Sequence, residues 1–161
     1  MKRLLIVWHS RTGASRALAD AAAAGAAEGA PGEVEVVVRR AAETEAEDLL
    51  AADGYLFACP ENLAALPGEM KEFFDRTYYG ALERLNGRPY AALIAAGSDG
   101  ENAARQLARI ATGWRLEPLI VCTRAQTPQA IAAPKTLDAA ALAAARDRGA
   151  ALAAGLSMGM F

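Results

Sequence analysis

Five short apolar runs rich in β-forming residues alternate with five segments of helical character, and this alternation limits the folds open to the chain. The apolar runs cover residues 4–8, 34–38, 55–59, 90–96 and 119–123. The helical segments cover residues 15–28, 45–51, 69–79, 101–114 and 138–156. Several of the runs are continuously apolar, which is typical of parallel strands that are covered on both faces.

Strands and helices that alternate in this way predict βαβ crossovers, a parallel sheet and helices on both of its faces. We therefore expect an α/β fold in which residues 1–161 form one domain, a three-layer sandwich around a five-stranded sheet. The usual strand order for such a doubly wound sheet is 2-1-3-4-5. Residues 124–137, which include Pro128 and Pro134 and show no clear periodicity, are predicted to form a functional or mobile connection.

The composition excludes several classes of protein. The formal net charge is −2 with both signs interspersed, so the chain lacks the clustered basic face that binds nucleic acid. No apolar run approaches the ~18 residues of a membrane span. His9 is the only histidine, and Cys59 and Cys122 are isolated, so we expect no metal site, no CxxC redox pair and a cytoplasmic location. Any difficult chemistry is then expected to need a cofactor.

Three loops are predicted to form a binding site. In a doubly wound sheet, ligands bind beyond the carboxyl ends of the strands, where the strand order reverses. For the order 2-1-3-4-5, the loops after strands one, three and four meet there. We refer to residues 9–15 as the first loop, residues 60–68 as the second loop and residues 97–102 as the third loop.

The first loop has the composition of a phosphate site. Ser10, Thr12 and Ser15 supply hydroxyl groups, Gly13 permits a tight backbone path, and the amides of the following helix point outward. Such donors at a helix N-terminus favour an anion. The alternative is an ordinary strand-to-helix turn that is capped by Ser or Thr. Because the loop lacks both GxxxxGK[ST] and GxGxxG, we expect a single phosphate, as in a mononucleotide.

Stretches of sequence around all three loops resemble a known family. The first strand and loop read LLIVWHSRTGAS, and residues 59–79 read CPENLAALPGEMKEFFDRTYY. Residues 97–114 read GSDGENAARQLARIATGW. The first stretch resembles the phosphate loop of flavodoxins, and the second is similar to the flavin loop and following helix of flavodoxin-fold NAD(P)H-dependent FMN reductases. The third resembles their glycine-rich third loop, and the resemblance extends over residues 3–123.

The resemblance implies an FMN cofactor and a set of binding residues. The phosphate would be surrounded by Ser10, Arg11, Thr12, Gly13, Ala14 and Ser15. The flavin ring would be lined by Pro60, Glu61, Asn62 and Leu63 on one side and by Gly97, Ser98, Asp99, Gly100 and Asn102 on the other. No side chain is expected to act as an essential catalyst, because the flavin carries the chemistry.

The function that we expect is hydride transfer from NAD(P)H to flavin N5 and onward to a quinone, a free flavin or a similar small acceptor. A flavodoxin-type electron carrier is one alternative, and a flavodoxin-fold module that binds FMN weakly or not at all is another. The net charge of −2 and the lack of aromatic residues between Leu63 and Gly68 favour the reductase over the carrier. Relatives commonly pair subunits, so we expect a homodimer or higher homo-oligomer, to which residues 124–137 or the pair Tyr78 and Tyr79 could contribute.

Several other side chains have more than one interpretation. His9 either caps backbone groups of its loop or donates a proton near the flavin. Cys59 and Cys122 are expected to be buried thiols, with a redox role for Cys59 as the alternative. Trp8 and Trp114 are interpreted as core or interface residues, and Trp8 could also border the cofactor. The stripe of Met70, Phe73 and Phe74 is expected in the core.

Overall fold

The computed structural model describes residues 1–126 and 135–161, and it contains the expected α/β sandwich. One five-stranded parallel sheet has the order β2-β1-β3-β4-β5. Its strands are β1 Lys2–Trp8, β2 Val34–Arg40, β3 Gly54–Pro60, β4 Pro89–Ala96 and β5 Glu117–Gln126. The helices are α1 Ala14–Gly29, α2 Ala46–Ala51, α3 Gly68–Ala81, α4 Glu101–Gly113 and α5 Ala139–Ser157. The predicted fold class and strand order are therefore confirmed.

The continuously apolar runs are the central strands of the sheet. All eight residues of β4 and the first six of β3 are buried. Side chains alternate between the two faces along each strand. Leu5, Val7 and Phe57 pack toward α2, α3 and α4, and Leu4 and Ile6 pack toward α1 and α5. Because both faces are covered, neither set of positions is free to be polar.

The two helical layers differ in the side chains that fill them. The layer of α2, α3 and α4 contains an aromatic cluster, in which Phe74 lies 5.4 Å from Phe57 and 5.6 Å from Trp114 between ring centroids. Met70, Phe73 and Phe74 are buried, as the helical stripe predicts. Trp114 is 0% exposed, so it belongs to the core. The ring of Tyr78 stacks on Trp114 within the chain, whereas Tyr79 is 82% exposed.

The opposite layer consists of α1 and α5, which pack closely through small residues. A Cβ atom added at Gly149 would lie 1.8 Å from the carbonyl oxygen of Ala22, and one added at Gly25 would lie 2.0 Å from that of Arg146. The backbones of the two helices therefore touch at the glycines. This contact explains why the alanine-rich segment shows only a weak apolar stripe: its packing face is made of alanine and glycine.

Most element bounds agree with the sequence to within two residues, and β5 is the exception. The apolar run at residues 119–123 lies inside a strand that extends from Glu117 to Gln126. Residues 124–126 therefore belong to the sheet, where Ala125 pairs with Ala95 of β4, and the expectation of a loop at these positions was wrong. Residues 127–134 of that connection, and the side chain of Cys122, lie outside what the structure describes.

Within residues 1–126 and 135–161, no helix combines the length and the apolar character that a membrane crossing requires.

Candidate functional site

The first loop joins β1 to α1 through a left-handed glycine. Gly13 has φ 95°, a conformation that favours glycine, and its N–H donates to Ser10 Oγ at 3.0 Å. The first helical bond runs from Ala17 N–H to the carbonyl oxygen of Gly13, at 3.0 Å. The amides of Ala14, Ser15 and Arg16 therefore precede the hydrogen-bond ladder of α1, and the helix presents them as donors.

Ser15 has the most informative side chain in this loop. It is 1% exposed, and its Oγ has no hydrogen-bond partner within the described part of the chain. A buried hydroxyl without a partner costs about 1–3 kcal/mol, so such atoms are rare in folded proteins. An anion at the N-terminus of α1 would supply the missing acceptor, and the residues present therefore fit a phosphate group.

Charged and aromatic side chains border the first loop. Two guanidinium groups lie over the ring of Trp8. The Cζ atom of Arg16 is 4.6 Å from the ring centroid, and that of Arg40 is 5.8 Å from it. His9 Nδ1 lies 3.2 Å from Glu69 Oε1 at the start of α3. The imidazole therefore lies beside a carboxylate, at the point where β1 ends and α3 begins. Lys135 also reaches this edge, where its backbone N–H donates to the carbonyl oxygen of Thr12 at 3.2 Å.

The second loop contains a tight turn with an uncommon backbone. Asn62 and Ala65 exchange two backbone hydrogen bonds, each 3.1 Å long, and we refer to residues 62–65 as the 62–65 turn. Its two central residues, Leu63 and Ala64, have φ of 50° and 58°. Left-handed backbone costs roughly 1–2 kcal/mol for each residue that carries a Cβ. Both residues are exposed, so burial of their side chains does not offset this cost.

Polar contacts join the second loop to α4. Glu61 is 9% exposed, its Oε2 accepts from Ala103 N–H at 3.0 Å, and its Oε1 accepts from Ser98 Oγ at 3.4 Å. The carboxylate therefore caps the first turn of α4, where the helix dipole favours a negative charge. Asn102 Nδ2 donates to the carbonyl oxygen of Ala64. One turn further along α4, Gln106 Oε1 accepts from Leu66 N–H at 2.8 Å.

The third loop ends β4 and begins α4. Gly100 is the N-cap residue of α4 and has φ 68°, which again favours glycine. Asp99 Oδ1 accepts from Glu101 N–H at 2.9 Å, so this carboxylate also serves the start of the helix. Ser98 and Asp99 are exposed, and Gly97 is half-buried.

Two openings follow the edge of the sheet across these loops, and Glu61 lines both. The first is a narrow crevice between the first and second loops, lined by Arg11, Thr12, Ala14, Pro60, Asn62, Ala95 and Lys135. The second is a cleft of about 680 Å³ between the second loop and α4, which Ala64, Ser98, Asp99 and Asn102 help to line. A row of donors, a crevice and a wider cleft would suit an elongated ligand with an anionic end.

All fifteen residues predicted for the site lie on the three loops or at their borders, and the loops are neighbours as expected. Gln106, Glu69 and Lys135 are also at this edge, and none of them was predicted. Gln106 had a signal in the sequence, since it lies four residues after Asn102 and so on the same face of α4. The contact of Lys135 depends on the path of the chain after β5, which local sequence does not reveal.

Comparison with known proteins relates the chain to a family of FMN reductases and to flavodoxins. The sequence pattern of a family described as NADPH-dependent FMN reductase matches residues 32–119, more than half of the chain. A protein named flavodoxin, from Aquifex aeolicus (strain VF5), is 30% identical over 102 residues. That match covers 62% of this chain and 53% of the relative, so the chain spans about half the length of the curated relative that it matches.

Solved structures share the fold at low sequence identity. A flavodoxin from the domain Archaea superposes with a TM-score of 0.76 at 18% identity, covering 94% of this chain and 96% of that one. A flavodoxin, WrbA-like protein from Agrobacterium tumefaciens has a TM-score of 0.74 at 18% identity and covers 99% of both chains. These likenesses identify the flavodoxin-like fold.

Proposed function

The chain belongs to the NADPH-dependent FMN reductase family, and from this premise we propose that it is an FMN-binding oxidoreductase that receives hydride from NAD(P)H. The observation that carries the proposal is the buried Ser15 hydroxyl, which lacks a partner at the N-terminus of α1. Bound FMN would supply the redox chemistry, accepting hydride from the nicotinamide at N5 and passing electrons to a quinone, a free flavin or a similar small acceptor.

The phosphate of FMN is assigned to the first loop. Ser10, Thr12 and Ser15 supply hydroxyl donors, the first turn of α1 supplies amides, and the positive end of the helix dipole adds attraction. Arg11, Gly13 and Ala14 complete this loop. The donors are mostly neutral, as expected for a single phosphate that is held by geometry more than by charge.

The flavin ring is assigned to the second and third loops. Pro60, Glu61, Asn62 and Leu63 would line one side, and Gly97, Ser98, Asp99, Gly100 and Asn102 would line the other. Glu61 contributes indirectly, because both of its carboxylate oxygens are engaged by α4 and the third loop. Its part in the site is to fix the second loop against α4.

No side chain is assigned as a proton donor or acceptor in the reaction. His9, the only histidine, has Nδ1 beside Glu69, at the base of α3. The protein would therefore bind and orient the flavin and set the polarity of the site, while the flavin would supply the redox chemistry.

An electron-carrier function is the second candidate, because the relative from Aquifex aeolicus and several structural neighbours are named flavodoxins. A carrier would exchange electrons with partner proteins and would not oxidise NAD(P)H. The net charge of −2 gives little support for docking by an acidic surface. A homo-oligomer and a cytoplasmic location remain predictions from the sequence.

The decisive experiment is an anaerobic titration. Purified protein loaded with FMN and desalted should keep the yellow absorbance, and NADPH or NADH should then bleach it. Binding without bleaching by either nucleotide would favour the carrier. Protein that stays colourless after desalting would contradict both functions and favour a module that binds FMN weakly or not at all.

A substitution in the first loop tests where the phosphate binds. Thr12→Val removes a hydroxyl and keeps the side chain's shape. FMN affinity should fall by about 1–3 kcal/mol, the usual cost of losing a hydrogen bond and leaving its polar partner unsatisfied. An unchanged dissociation constant would place the phosphate elsewhere.

A further inference from the structure

We propose that Gln106, together with Asn102, is a positioning residue for the cofactor: from α4 the two side chains hold the 62–65 turn in the left-handed form that binds FMN. This inference rests on the proposed function. The geometry is the starting point, because Leu63 and Ala64 both adopt positive φ although neither is glycine. Backbone of this kind persists only where its surroundings enforce it.

The side chains of the turn do not enforce that backbone. Leu63 is 87% exposed, and Ala64 is also exposed, so neither is locked by packing. A two-residue turn of this hand normally uses Asn-Gly or Gly-Gly. Leu and Ala at these positions therefore need restraint from outside the turn.

The restraint comes from one face of α4. Asn102 donates to the carbonyl oxygen of Ala64 inside the turn, and Gln106 accepts from Leu66 N–H directly after it. The two side chains are four residues apart, so they lie one above the other on the helix. Arg105 donates to Asn102 Oδ1 at 2.7 Å, which orients the amide so that its nitrogen faces the turn.

Glu61 fixes the opposite end of the same loop. Its backbone N–H donates to the carbonyl oxygen of Ala95 at 2.9 Å, and its carboxylate caps α4. The turn is thus held at its start by Glu61, within it by Asn102 and at its end by Gln106. Leu66 is anchored by its buried side chain, whereas its N–H donates to the side chain of Gln106. Without that acceptor the backbone between Ala64 and Leu66 would lose a restraint, and the turn could relax to right-handed backbone.

The test compares two substitutions at one position. Gln106→Leu removes the acceptor for Leu66 N–H and should weaken FMN binding about tenfold, while Gln106→Glu retains an acceptor oxygen and should bind within about twofold of the wild type. Arg109→Gln, at an exposed position of the same helix, is the matched control and should bind FMN like the wild type. Fluorescence quenching of FMN gives the dissociation constants.

A second substitution tests whether backbone strain in the 62–65 turn explains the loss of FMN affinity in Gln106→Leu. Ala64→Gly removes the penalty for positive φ, so the loss caused by Gln106→Leu should become several-fold smaller in the Ala64→Gly background. A structural role unrelated to the turn would give the same loss in both backgrounds. Equal affinities of the wild type and Gln106→Leu, or equal losses in both backgrounds, would overturn the proposal.

Amide hydrogen exchange in the FMN-free protein separates this proposal from the proposed function. Leu66 N–H should exchange at least tenfold faster in Gln106→Leu than in the wild type, because its acceptor is gone. If the wild type binds no FMN, the proposed function fails, and the positioning role toward FMN fails with it. Unchanged exchange at Leu66 in a protein that does bind FMN would instead refute the positioning role alone.

Discussion

Ser15 is the side chain on which the proposed phosphate site depends most. The hydroxyl is 1% exposed in the first turn of α1, and the described part of the chain provides it with no partner. Burial of a hydroxyl without an acceptor has a desolvation cost, which the phosphate of FMN would offset under the proposed function. This buried hydroxyl is therefore the main support for the proposed phosphate site at the N-terminus of α1.

Replacing Ser15 should separate stability from binding. Ser15→Ala removes an unpaired buried hydroxyl, so the FMN-free protein should be as stable as the wild type or up to about 1 kcal/mol more stable. FMN affinity should fall by about 1–3 kcal/mol, because a hydrogen bond to a charged group is lost. Urea unfolding without FMN and a binding titration measure the two quantities.

Thr77→Ala is a matched control for the loss of a buried hydroxyl that already has a partner. Thr77 is 0% exposed, and its Oγ1 donates to the carbonyl oxygen of Phe73 at 2.8 Å. This substitution should leave FMN affinity unchanged. A Ser15→Ala protein that is clearly destabilised without FMN would show that the hydroxyl has a structural partner, and the argument for phosphate would lose its main support.

At the level of elements, the contact between α1 and α5 reverses the usual effect of replacing a helical glycine with alanine. Inside a helix, Gly→Ala normally stabilises by about 0.5–1 kcal/mol. At Gly149 the new methyl group would lie 1.8 Å from the carbonyl oxygen of Ala22, which is backbone and cannot rotate away. Gly149→Ala should therefore destabilise the protein by about 1–3 kcal/mol, the usual cost of overpacking.

Gly68→Ala provides the opposite case. Gly68 is the first residue of α3, and a Cβ atom there would meet nothing within 4 Å. This substitution should be neutral or slightly stabilising. Chemical denaturation of both variants measures the difference, and equal stabilities would mean that α1 and α5 separate at little cost.

Sequence patterns predicted the elements better than the contacts between them. The stripe of Met70, Phe73 and Phe74 identified α3 and its buried face, because large apolar residues at helical spacing have few alternatives. In α1, alanines lie on several faces of the helix and no stripe of large apolar residues marks one of them. The sequence therefore did not reveal which face of α1 packs against α5. The end of β5 was missed for a similar reason, since residues 124–126 are polar or small and pair through backbone that the sequence does not mark.

In the candidate site, too, the sequence predicted the positions of the loops better than the contacts between them. Its three loops follow from strand order alone, because the carboxyl ends of parallel strands share one edge of the sheet. The contacts of Glu61, Asn102 and Gln106 depend on how α4 is rotated against the second loop. The spacing of Asn102 and Gln106 places both on one face of α4, but it does not reveal that this face meets the second loop. Residue types could therefore place the site, while the reason why Leu63 and Ala64 tolerate positive φ required the tertiary structure.

At the scale of the whole molecule, Tyr55 links the stability of the fold to alkaline pH. The Tyr55 hydroxyl donates to the carbonyl oxygen of Leu49 at 2.7 Å and accepts from Arg88 at 3.0 Å, which joins β3 to the end of α2 and the start of β4. Burial raises the pKa of Tyr55 from 10.0 to about 12, and the nearby Arg88 only partly opposes this rise.

The sign of the resulting pH dependence follows from the proton balance. Between pH 10 and pH 12 the unfolded chain releases the Tyr55 proton while the folded protein retains it, so the free energy of unfolding falls as pH rises. A difference of about two pKa units corresponds to a loss of up to about 3 kcal/mol. Below pH 10 the contribution is fully present.

Tyr55→Phe isolates this contribution from the other groups that titrate at alkaline pH. At neutral pH the variant should be less stable than the wild type by about 1 kcal/mol, since the buried hydroxyl loses its hydrogen bonds. As pH rises above 10 this deficit should shrink and then reverse, because Phe has no proton to release. Urea unfolding at intervals from pH 7 to pH 11.5 measures both curves, with Tyr79→Phe at an exposed ring as the control. A deficit that is constant across the whole range would show that the hydroxyl of Tyr55 keeps its proton equally well in the folded and unfolded chains.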